Sequence, residues 1–143
     1  MRLITIAAAA AVLTGAQPAA AEIGRIKSFV GEVAVLRGAT RIPASSGFHL
    51  DQGDVLVTGK TGRVGVTFLD NTRMALGPNS RITVSEFAYD RSRQTGSFVT
   101  SVDRGSLGVV SGNIAKSKRD AMRVRTPTSM LGVRGTRFVV EVK

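Results

Sequence analysis

The closing stretch RTPTSMLGVRGTRFVVEV, Arg125 to Val142, sets two glycines and three arginines into a run that otherwise has β-strand character. Successive backbone amides at a glycine corner can converge into a nest that binds an anion. Arg134 and Arg137 stand beside Gly132 and Gly135, where they could neutralise one, and Arg119, Arg123 and Arg125 extend the basic stretch upstream. These five arginines are the candidate contacts for an anionic partner. The same residues also read as a corner. Thr126 precedes Pro127 and is biased to extended geometry, while Gly132 and Gly135 bracket Val133 and Arg134, as for a tight turn into a last strand. The spacing predicts a corner first and an anion site second.

Other chemistries find less support. His49 is the only histidine, set between Phe48 and Leu50, and with no cysteine in the chain it has no thiolate or second imidazole with which to share a metal. A hydrolytic triad would also need an orienting group and oxyanion donors, so a surface or capping role is expected. Asp51 and Asp54 in DQGD lack the spacing and the distal glutamate of a calcium loop. Asp54, directly after Gly53, is expected to hold a turn through side-chain to backbone hydrogen bonds. DVLVTGKT, Asp54 to Thr61, approaches the phosphate-cradling pattern but places Asp54 where its first glycine belongs, and it reads as a hairpin rather than a helix start. No catalytic residue, metal or cofactor is expected.

The charge is unevenly placed. The formal net charge is +10; from Glu22 to Asp90 eight Lys/Arg face seven Asp/Glu, whereas from Arg91 to Lys143 eleven face three, a net +8. Such asymmetry points to an anionic partner or to a solvated basic face. The first 21 residues decide among partners. Arg2, the apolar run Leu3 to Leu13, the break at Pro18 and the small residues Ala19 and Ala21 before Glu22 follow the plan of a cleavable secretory signal peptide. The run is too short for a spanning helix, which needs about 20 apolar residues. Residues 1–21 are therefore read as a signal peptide and 22–143 as one periplasmic domain with no transmembrane segment after cleavage. Export removes nucleic acid from the expected partners and leaves an envelope protein, lipopolysaccharide, anionic lipid or wall polymer. With no cysteine, the exported fold must stand on packing and backbone pairing without a disulfide.

Helical periodicity is nearly absent after Glu22. Short Val/Ile/Leu/Phe/Thr runs recur between glycines: Gly31–Gly38, Asp54–Gly59, Arg63–Asp70, Arg73–Gly77, Arg81–Tyr89, Ser106–Gly112, Met122–Thr126 and Thr136–Val142. Several alternate apolar with polar, as half-buried strands do. The turns carry their own signals. Asn71 in Asp70–Thr72 tolerates positive φ, Gly77–Ser80 marks a corner, and Asp90–Gly96 and the basic Ala115–Asp120 read as exposed loops. The expected fold is all-β, a short β-solenoid-like or β-sandwich-like domain of glycine-punctuated strands, with a β-sandwich as the alternative.

GEVAVLRG from Gly31, LDQGDVLVT from Leu50, VTFLDNTRMALGPNSRI from Val66, RGSLGVVSG from Arg104 and VRTPTSMLGVRGTRF from Val124 together resemble the FecR domain family. The resemblance spans Gly24 to Val142. It implies a periplasmic, β-solenoid-like, non-catalytic module for protein contacts and signal relay. The best understood members regulate sigma factors from the inner membrane in response to outer-membrane iron-siderophore transporters. This sequence lacks the cytoplasmic helical segment and spanning helix of those members, so anti-sigma activity is not carried over. Asn71 stands where the family commonly has glycine. Arg134, Gly135 and Thr136 fit the family's RGT corner, and Thr126 with Pro127 its TP step; both read as structural signatures before binding ones.

Overall fold

A computed structural model of the chain describes residues 22–135 and 137–143; the signal peptide read over 1–21 and Thr136 of the RGT corner lie outside the described residues. The expected all-β class is observed. Twelve strands form a single curled, partly open sheet: β1 (Glu22–Val30), β2 (Val33–Arg37), β3 (Thr40–Pro43), β4 (His49–Asp51), β5 (Val55–Thr58), β6 (Arg63–Phe68), β7 (Arg73–Leu76), β8 (Arg81–Asp90), β9 (Thr95–Val110), β10 (Met122–Arg125), β11 (Met130–Val133) and β12 (Arg137–Val142). The short helix α1 (Asn113–Ser117) joins β9 to β10. Every pairing is antiparallel except that of β10 with β9.

The strand order β3-β2-β5-β8-β9-β7-β6-β1-β4 turns on β9, which belongs to both halves of the curl. Its first part, up to Arg104, lies between β8 and β10; its last part, Gly105 to Val110, lies between β7 and β12. Alternation puts one side chain in two inward, so the halves close over a shared core. Phe98 packs edge-on against Phe68 at 4.8 Å and Phe87 at 4.9 Å between ring centroids. Ile26, Leu50, Leu56, Ile82, Leu107 and Met122 fill the space around them.

Gly105 marks the passage of β9 from one half to the other, at φ +92°. There three sequence motifs meet in one buried polar knot. Ser80 Oγ donates to Gly77 O (2.9 Å) and accepts from Ser106 N (3.0 Å), while Thr58 Oγ1 donates to Gly77 O (2.7 Å) and accepts from Ser80 N (2.9 Å). The glycines and hydroxyls of VLVTG, LGPNS and RGSLG thus saturate one another where three chain segments cross, as buried polar groups must.

A second knot forms at the corner between β6 and β7. Asn71 takes φ +69°, the conformation its residue type anticipates. Asp70, wholly buried, accepts from Thr72 N (3.1 Å), Thr72 Oγ1 (2.8 Å) and Ile114 N (3.2 Å). Asn113 N donates to Asp70 O (2.8 Å) and Gly112 N to Thr72 Oγ1 (3.1 Å). The corner anchors the entry to α1.

Asp54 does hold its turn: its Oδ2 accepts from Asp51 N (2.8 Å), and its carboxylate takes a forked pair of bonds from Arg37 Nε (3.0 Å) and Nη2 (2.7 Å). The bond to Asp54, with the nearby charges of Asp54 and Asp51, raises the Arg37 pKa above its ordinary value. Removing one partner of a buried pair strands the other charge, but the Arg37 side chain is 40% exposed and partly screened. Arg37→Ala is therefore expected to cost roughly 2 kcal/mol in a urea titration. A change under about 0.5 kcal/mol, the scale of an exposed pair, would remove Arg37 from the scaffold.

The fold departs from the sequence reading in three places. Ser106–Gly112 is only the end of β9, because the chain stays paired through the Gly105 kink instead of turning there. Ala115–Asp120 is not all exposed loop: α1 buries Ile114 and Ala115, and only Lys116 onward is exposed. Gly132 is not at a corner but inside β11, opposite Arg123 of β10.

Candidate functional site

The basic C-terminal segment folds into a hairpin and a separate last strand. β10 and β11 pair from Met122 opposite Val133 to Arg125 opposite Met130. Thr126 closes their turn. Its amide donates to Ser129 O (2.8 Å), and its Oγ1 accepts from Ser129 N (3.1 Å), leaving Pro127 and Thr128 exposed at the tip. The TP step serves here as a turn clasp.

The two glycines of the RGT region serve different ends. Gly135, at φ +68°, stands in open space, so it supplies a backbone conformation that other residues adopt at a cost. Gly132 makes room: a Cβ there would overlap the Asp120 carboxylate. With Gly132 committed to the ladder, the backbone corner reduces to Arg134 and Gly135.

The five candidate arginines are not gathered on one face. Arg123 and Arg125 point outward from β10, on the half of the sheet that contains β8 and β2; Val124 between them is buried. Arg123 is half-buried and its Nε has no hydrogen-bond partner among the described residues. Arg119 is exposed after α1 and Arg134 is exposed at the corner. Arg137 belongs to the other half, where it stands opposite Val110 of β9 with Arg73 on that residue's far side. Nothing local in the sequence links Arg73 to Arg137; only the register shows that they share a row two strands apart. His49 is a surface residue, its Nδ1 3.5 Å from Glu22 Oε2. Among the described residues no group of three His, Cys, Asp or Glu side chains is gathered as a metal site would need.

What the C-terminal segment presents most openly is backbone. Among the described residues β11 pairs only with β10, and β12 only with β9, so each has one edge that no described strand covers. An open edge invites a further strand, and folded proteins blunt such edges with proline, charge or short length. β3, at one end of the sheet, finishes in Pro43, and β4, at the other, has three residues. β11, Met-Leu-Gly-Val, has neither proline nor charge. Met130 and Leu131 are 47% and 46% exposed, and Val139 of β12 is 75% exposed. Between the two edges lies a groove of about 360 Å³ lined by Leu131, Val133, Arg134, Phe138, Val139 and Val140 among others.

The family model described as FecR protein matches residues 54–143. The match begins at Asp54, so GEVAVLRG and the strands β1 to β4 lie outside it, while β9, both polar knots and the two open edges lie within it. No curated protein and no solved structure matches the chain.

Proposed function

Because the chain belongs to the FecR family, we propose that it is a periplasmic module, exported by cleavage after Ala21, that relays a signal by binding another envelope protein. Members of the family are non-catalytic regulatory modules, so the chain is not an enzyme. Among the described residues no helix is long and apolar enough to cross a membrane. In this reading residues 22–143 act as one unit, and an extended segment of the partner adds to the free edge of β11. The observation that carries it is the Met-Leu-Gly-Val edge, free of proline and charge, with Met130 and Leu131 exposed beside it. Backbone pairing would supply affinity, and these two side chains would supply specificity.

A second reading rests on the charge: the net +8 segment, through Arg119, Arg123, Arg125, Arg134 and Arg137, grips lipopolysaccharide, anionic lipid or a wall polymer. The two differ in salt response, because exposed charges are screened beyond about 8 Å at physiological ionic strength. They also differ in response to lysine. Leu131→Lys obstructs an edge yet adds a positive charge. Capture from envelope extract by the purified chain is expected to yield a discrete protein that survives a high-salt wash and is lost with Leu131→Lys. Retention of glycolipid or wall fragments that washes away in salt, disappears with Arg123→Ala/Arg125→Ala and persists in Leu131→Lys would replace the first reading with the second.

A further inference from the structure

The outward face of β12 reads Arg137, Val139, Glu141, and its inward face Phe138, Val140, Val142. Val139 is the most exposed large hydrophobic residue among those described. Neither Arg137 nor Glu141 makes an ion pair with any described residue. The edge of β12 away from β9 is paired with no strand among the described residues and opens on the groove shared with β11. An apolar residue flanked at two positions on either side by opposite charges is complementary to itself when reversed.

We propose that β12 pairs with β12 of a second copy of this chain, antiparallel, about a two-fold axis through Val139. In a symmetric pairing residue i of one copy meets j of the other and j meets i, and side chains opposite each other lie on the same face. These conditions leave few registers. Centred on Val139, each Arg137 faces Glu141 of the other copy, the two Val139 side chains meet between these ion pairs, and Phe138 faces Val140 across the inner surface. Centred on Val140, Arg137 faces Lys143 and Val139 faces Glu141, so like charges meet and the valine is set against a carboxylate. Centred on Phe138, Arg137 faces Val139 and Glu141 loses its partner. Only the Val139 register matches charge to opposite charge and apolar to apolar. Pairing would join the halves that hold β7 and β12 of two copies into one continuous sheet and cover the edge that is otherwise open.

The inference goes beyond the partner-binding reading, which uses β11. Sedimentation equilibrium of the full exported chain over a concentration series tests it. The native chain is expected to associate reversibly to a dimer. Arg137→Glu or Glu141→Arg alone places like charges opposite each other twice per dimer and is expected to weaken it roughly tenfold or more. The double variant Arg137→Glu/Glu141→Arg restores the complementarity and is expected to recover the native constant, a rescue that no general loss of folding reproduces. A chain that stays monomeric throughout the series overturns the proposal, and so does a dimer indifferent to the single variants or not rescued by the double one. Capture of an envelope protein through β11 by the Arg137→Glu chain, whose dimer is weakened, tests the partner-binding reading apart from this one, so failure here is distinct from failure there.

Discussion

Asp70→Ala is expected to lower the stability of the fold by about 4 kcal/mol, since hydrogen bonds to a charged group contribute roughly 1.5–3 kcal/mol each and three donors lose their acceptor at once. The donors are Thr72 N, Thr72 Oγ1 and Ile114 N, and both residues are buried at 0% exposure, so water does not readily replace the carboxylate. Losses within one network do not add fully, which keeps the figure below the sum of three bonds. The damage spreads by connection: Thr72 Oγ1 accepts from Gly112 N, and the entry to α1 hangs on the same corner. Asp70→Asn keeps the shape but turns an amide NH2 toward donors, so it should lie between alanine and the native residue. Urea unfolding of the three proteins measures this. A loss under about 1 kcal/mol for alanine, within the range of a single neutral hydrogen bond, would mean that the corner does not anchor the entry to α1.

The second large effect lies at the kink of β9. Gly105 adopts φ +92°, and an added Cβ would collide with the backbone and side chain of Ser80, the centre of the other polar knot. The left-handed conformation alone costs a non-glycine residue about 1–2 kcal/mol, and forced displacement in a packed site adds about 1–3 kcal/mol. Gly105→Ala is therefore expected to cost about 3 kcal/mol or more. Two other glycines calibrate it. Gly135 has positive φ but nothing within 4 Å, so Gly135→Ala should show the conformational cost alone. Gly108, three residues along the same strand, has Ala75 O at 3.9 Å as the nearest atom to an added Cβ, an ordinary contact, so Gly108→Ala should be near neutral. If Gly105→Ala were no worse than Gly135→Ala, crowding by Ser80 would have no part in the kink.

These two sites show how far the sequence could be read. Asn71 announced a corner by its tolerance of positive φ, and Asp54 announced a turn by following Gly53; both are local signals, and both describe the structure. Strand runs with clear alternation, such as Arg81 to Tyr89, were legible for the same reason. That Asp70 would receive an amide from Ile114, 44 residues away, was not legible, because nothing local distinguishes a buried acceptor from an exposed turn carboxylate. The length of β9 was hidden by Asp103-Arg104-Gly105, which has the composition of a corner and the pairing of a strand. Gly132 and Gly135 have the spacing of a corner, although Gly132 lies in β11, where it admits Asp120. The arginines kept their alternation in sequence, but period two identifies only a face of a strand. It cannot say that Arg123 and Arg137 belong to different halves of a curled sheet, and so the cluster suggested by composition separates in space.

The family match shows the fold's kinship, and the open β11 edge supports a protein contact as its use. The most direct measurement is photo-crosslinking in intact cells from a reactive residue substituted at Leu131, compared with one at Thr40 of the proline-blunted β3 edge. A discrete protein adduct is expected from position 131, forming irrespective of external salt, and none from position 40, as a protein contact at the β11 edge requires. Equal labelling from both positions, or adducts from 131 only to lipopolysaccharide or wall material, would contradict it.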